Sequence, residues 1–155
     1  MKRILLAVLL VLLLVGEVFA AGTFTFTTTN PATYTVNGQL RRVFTASWVG
    51  DASTGSVPTL TITAKGDYGV IGMYLLCVET APGTTAPTNN YTVTVTDDFG
   101  MDLMSGMTSA NRSSTLPQTQ MPSSWLPVMS DLTLTVTGNS VASGKGNVRL
   151  IYTSN

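Results

Sequence analysis

The chain has 155 residues, eight Lys or Arg against eight Asp or Glu, one cysteine and no histidine. That length suits one domain with a sizeable core. The balanced charge excludes bulk attraction to nucleic acid or anionic lipid, and the missing histidine excludes Ser/His/Asp and Cys/His catalysis as well as histidine-bearing zinc sites.

Lys2 and Arg3 precede an unbroken apolar run from Ile4 to Val15, and Val18-Phe19-Ala20 puts small residues where a signal peptidase reads. This is the pattern of a secretory signal. A run of about 12 apolar residues is short for a membrane core of roughly 30 Å. The expected division is a signal peptide over residues 1–20 and a single domain over 21–155, with no membrane attachment after cleavage. Losing the leader removes Lys2, Arg3 and Glu17 and leaves six basic and seven acidic residues. Cys77 stands alone, so no intramolecular disulfide forms. Its setting, Met73-Tyr74-Leu75-Leu76-Cys77-Val78, predicts a buried small apolar residue.

Thr23 to Thr29 alternates Phe24 and Phe26 with threonine, the period of a half-buried strand. After Asn30-Pro31, Tyr34 and Val36 lead to Asn37-Gly38, a two-residue hairpin signal because both positions need positive φ. The return strand is expected from Gln39 to about Val49, with a phase shift at Arg41-Arg42 that predicts a bulge. Gly50 to Ser56 reads as a polar loop, and Leu60 and Ile62 alternate with threonines in the next strand. Val70 to Glu79 reads as a central strand and Ala81 to Asn89 as a loop. Tyr91, Val93 and Val95 then alternate with Thr92, Thr94 and Thr96. Pro117, Pro122 and Pro127 make the following stretch irregular, and its length favours a contact surface over a mere link. Strands return at Leu132 to Val136 and, past a turn at Gly138-Asn139, at Val148 to Tyr152. The expected fold is an all-β, antiparallel, jelly-roll-like β-sandwich of seven or eight short strands.

Asp97, Asp98 and Asp102 surround Gly100. Three carboxylates at a strand end offer oxygens to Ca²⁺, but the spacing is not that of an EF-hand. The preferred reading is an acidic turn that caps the short segment after it, with no metal or cofactor. Trp48, Trp125, Tyr34, Tyr68 and Tyr74 are the candidates for a carbohydrate platform. Trp48 sits in strand phase and reads as core, whereas Trp125, in Ser123-Ser124-Trp125-Leu126-Pro127, is the better exposed candidate.

Three segments carry a resemblance: Ala86 to Asp98, Met101 to Ser113 (with Asp102-Leu103-Met104-Ser105-Gly106 and Ala110-Asn111-Arg112-Ser113), and Leu132 to Tyr152 (with Leu134-Thr135-Val136-Thr137-Gly138-Asn139). Taken in order over residues 40 to 153, the chain resembles small β-rich structural proteins encoded among the virion genes of tailed bacteriophages and prophages. The resemblance implies a non-enzymatic structural or accessory protein of the particle that contacts itself or other virion proteins. Leu103, Met104, Asn111 and Arg112 would then make the shared contact, and the terminal strands would form a hairpin; Trp125 is a separate candidate interaction residue. The leader implies a different destination and role, an exported cell-surface or extracellular binding module with glycan as a candidate ligand.

Overall fold

The computed structural model describes residues 20–27, 32–65, 69–104 and 112–155. Residues 1–19 of the predicted leader, Tyr68 and Asn111 lie outside these. Nine strands form among the described residues: β1 (Thr23–Phe26), β2 (Ala32–Val36), β3 (Gln39–Val49), β4 (Leu60–Ile62), β5 (Tyr74–Pro82), β6 (Thr92–Asp97), β7 (Gln118–Gln120), β8 (Leu132–Thr137) and β9 (Lys145–Thr153). They make two antiparallel sheets. The larger has the order β1-β3-β9-β5-β7, with β2 also paired to β3, and the smaller has the order β4-β8-β6. None of the described residues forms a helix long and apolar enough to cross a membrane.

The sandwich follows from alternation. Val93 and Val95 of β6, and Leu132, Leu134 and Val136 of β8, are buried while their intervening threonines face outward. In the larger sheet Phe44, Ala46 and Trp48 of β3 line up with Leu150, Val148 and Gly146 of β9 and face the same interior. Burying each large apolar side chain contributes about 1.5–3 kcal/mol, so a one-residue slip of any central strand would turn its whole apolar set to water. Phe44 meets the ring of Tyr152 edge-on, with centroids 5.5 Å apart.

The Asn37-Gly38 hairpin forms as its sequence predicts, with φ of 50° and 80°. β3 runs unbroken against both neighbours through Arg41 and Arg42, and the register shift falls instead at Leu75/Cys77 of β5. The Arg41-Arg42 phase change has another cause: Arg42 sits opposite Tyr152 on the interior side of β3, so a polar residue occupies a core-phase position without an extra residue in the strand. From β3 onward every connection crosses from one sheet to the other. The last one corrects an expectation: β8 lies in the smaller sheet and β9 in the larger, so the terminal strands are joined by a crossover and do not pair as a hairpin. β7 is a strand where the prolines predicted none. It is three residues long at the sheet edge, where proline-flanked chain can still pair on one side.

Candidate functional site

The outer face of the larger sheet is built in ranks by its register. Thr45 of β3, Arg149 of β9, Glu79 of β5 and Thr119 of β7 stand side by side. The next rank holds Ser47, Asn147 and Ala81. Together with Thr80, Pro117 and Gln118 most of these residues line a groove of about 350 Å³. Arg149 Nη1 donates to Glu79 Oε2 at 3.0 Å. Ser47 Oγ donates to Asn147 Oδ1 at 2.6 Å, which orients the Asn147 amide with its nitrogen available as a donor. The groove thus presents hydroxyl, amide, carboxylate and guanidinium groups on a rigid strand framework.

Toward the start of β5 the same face becomes apolar and then aromatic. Val43, Ile151 and Cys77 form one rank. Cys77 is 5% exposed, and burial pushes its thiol up, with Glu79 adding to the effect against the opposing charges of Arg149 and Arg41. This is an inert packing residue. Tyr74 follows opposite Thr153, and its ring meets that of Trp125 at 6.3 Å between centroids with the planes tilted by 40°. A backbone bridge between Tyr74 and Pro127 holds the Trp125 loop against β5. Trp125 remains 55% exposed. Along the strand the aromatic pair lies ~15 Å from the polar rank at Glu79.

The other sequence candidates scatter. Leu103, Met104 and Arg112 are buried, so none of them offers the surface contact that the resemblance implies. The physical reason is the free edge of β6. Asp102 bridges Thr96 and Arg112 bridges Tyr91, so the described parts of this segment lie along that edge, and Leu103 and Met104 pack inward. Asp97 and Asp102 act within their own turns. Asp97 Oδ1 accepts from the amides of Phe99 at 3.0 Å and Met101 at 2.8 Å, and Asp102 Oδ1 accepts from the Met104 amide at 2.9 Å. Among the described residues no group of three acidic, cysteine or histidine side chains is placed to share a metal ion.

No protein-family model matches the sequence, and no curated protein matches it. Among solved structures the chain is similar to a low-affinity xylan-binding module, CBM86, from the xylanolytic gut symbiont Roseburia intestinalis. Identity is 9%, 84% of this chain and 88% of that one are covered, and the TM-score is 0.29. A likeness that slight carries no argument about function.

Of the groups that shape the groove, sequence reasoning missed Glu79, Gln118, Asn147 and Arg149. Asn147 and Arg149 alternate with buried Val148 and Leu150, a signal that they face outward, but nothing in the sequence says that Glu79 and Gln118 stand beside them. Trp125 was legible as an exposed aromatic, and the structure pairs it with Tyr74.

Proposed function

We propose that this protein is a binding module, without catalytic chemistry of its own, that takes an extended glycan across the outer face of its larger sheet. The observation that carries the reading is the Tyr74–Trp125 pair on the same face as a polar groove. Sugar rings present an apolar face and a hydroxyl rim, and aromatic stacking next to amide and charged hydrogen-bonding groups answers both. An exported module of this kind would also use the secretory leader.

The test is retention of the purified protein on immobilised neutral polysaccharides, for the wild type, Trp125→Ala and Asn147→Ala. Trp125→Ala should weaken retention roughly tenfold or more, the effect of removing a dominant anchor, with an unchanged melting temperature. Failure of the wild type to bind any polysaccharide of such a panel would sink the reading.

A second reading rests on a different observation. Phe99, 93% exposed, Met101, Met129 and Ile71 crowd loops at one end of the sandwich, as a protein contact surface would require. It supports a structural or accessory role in a phage or prophage particle. Mass spectrometry of gradient-purified particles decides it: stoichiometric recovery of the chain supports that role, and recovery only in medium or cell envelope overturns it.

A further inference from the structure

Between the two sheets, Tyr91 and Arg112 face each other across a backbone bridge. The Arg112 amide donates to the Tyr91 carbonyl at 3.1 Å, and the Asn90 amide donates to the Arg112 carbonyl at 2.9 Å. Residues opposed in this way project their side chains to the same side, and both side chains are fully buried. The Tyr91 ring meets Trp48 of β3, with centroids 5.5 Å apart. Thr80 of β5, also buried, reaches toward the Tyr91 hydroxyl without meeting hydrogen-bond geometry.

This cluster is rich in donors and lacks a charged acceptor. Nε, Nη1 and Nη2 of Arg112, the Tyr91 hydroxyl and Trp48 Nε1 all have no hydrogen-bond partner among the described residues. Among those residues an ion pair joins Arg149 to Glu79 at the surface, and none pairs a carboxylate with Arg112. A guanidinium cannot shed its proton to escape burial. Desolvation opposes its charge, with Tyr91 partly offsetting. Water could cap the N–H groups but would leave the charge uncompensated in a low-dielectric interior.

We infer that the core holds a small monovalent anion, of chloride or nitrate size, on the Arg112 guanidinium, with the Tyr91 hydroxyl as a further donor. The planar fork of Arg suits such an ion. The cluster lies beside the β5–β7 edge. Gln118, which lines the outer groove, accepts a hydrogen bond at 2.7 Å from the amide of Ser113, the residue next to Arg112. The inference does not rest on the glycan reading, and the ion would stabilise the fold by binding its native state.

The experiment is thermal unfolding of the full chain at constant ionic strength, with gluconate replaced stepwise by chloride, for the wild type and Arg112→Met. In the wild type, each tenfold rise in chloride above the dissociation constant should lower the unfolding constant about tenfold. Arg112→Met should lose that dependence. A flat wild-type response, or the same slope in Arg112→Met, overturns the inference. Should Arg112→Met fail to fold, chlorine-35 line width decides with the wild type alone. Broadening by the protein that nitrate reverses supports the site, and an unbroadened line together with a chloride-independent melting temperature overturns it.

Discussion

The two loop ends of the sandwich are built alike and finished differently. At one end the loops 50–59, 83–91 and 138–144 converge on Asn139. Its Oδ1 accepts from the Thr88 amide at 3.0 Å, and its Nδ2 donates to the carbonyls of Gly55 at 2.6 Å and Val141 at 3.2 Å. Around it stand small polar residues such as Ser53, Thr54, Ser56, Thr88 and Ser140. At the other end hydrogen bonds also tie the loops, with the Gly72 amide donating to the Val128 carbonyl and the Ala64 amide to Asp131 Oδ1. There, however, Ile71, Phe99, Met101, Trp125 and Met129 are left in solvent. A buried amide that serves three loops exists for stability. Exposed apolar side chains on equally well-tied loops contribute little to folding, and that difference makes the second end the candidate contact surface of the two.

The largest expected effect is at the first end. Asn139→Ala strands the Gly55 carbonyl and the Thr88 amide together, and should destabilise the fold by roughly 2–4 kcal/mol in urea unfolding. Gly146→Ala comes next. A Cβ there would lie 2.6 Å from Cε2 and Cζ2 of Trp48, a ring that is itself buried against Tyr91. Overpacking of this kind should cost about 2 kcal/mol. If Asn139→Ala proved neutral, the contrast between a structural and a functional end would fail.

Asp51 tests the same end through pH. The side chains and amides of Ser53 and Thr54 all hydrogen-bond its Oδ1, at 2.6 to 3.0 Å, and hold its carboxyl well below the usual carboxylate range. An unfolded Asp titrates near 3.9. Because the folded value is lower, Asp51 stabilises the protein above that pH and loses this contribution as pH falls toward the folded value. Asp51→Asn should therefore be less stable than wild type at neutral pH, and the gap should narrow in acid melts below about pH 4. A gap that is constant across the range would show that the carboxylate charge plays no part.

Much of this arrangement was legible wherever one face of a strand is buried. The threonine alternation of β6 and β8 and the bounds of β3 read directly, because burial enforces period two and Asn37-Gly38 fixes the turn. Three features could not be read so. The bulge at Leu76 hides in a continuous apolar run, where either phase looks buried. β7 is too short to have a period. Arg112 looks like a surface residue by type, and only the bridge to Tyr91 turns it inward. The groove was illegible for a related reason: Thr45, Glu79, Gln118 and Asn147 come from four strands, and sheet order, which decides their adjacency, is a property of crossovers and leaves no local pattern.

The smallest effect on stability belongs to the second end, and it is the sharpest test of the comparison. Phe99 sits at the tip of the turn that Asp97 closes, with Gly100 at φ of 80° completing it. Its ring makes no contribution to the core, and neither does the 72% exposed side chain of Met129. Phe99→Ser and Met129→Ser should each change the unfolding free energy by no more than about 0.5 kcal/mol, and the double variant should be close to additive in stability. If the end is a contact surface, the same double variant should lose self-association or particle incorporation, read by analytical ultracentrifugation and by co-sedimentation. Stability loss comparable to that of Asn139→Ala would instead mean that these side chains pack in the folded protein, and the second end would be as structural as the first.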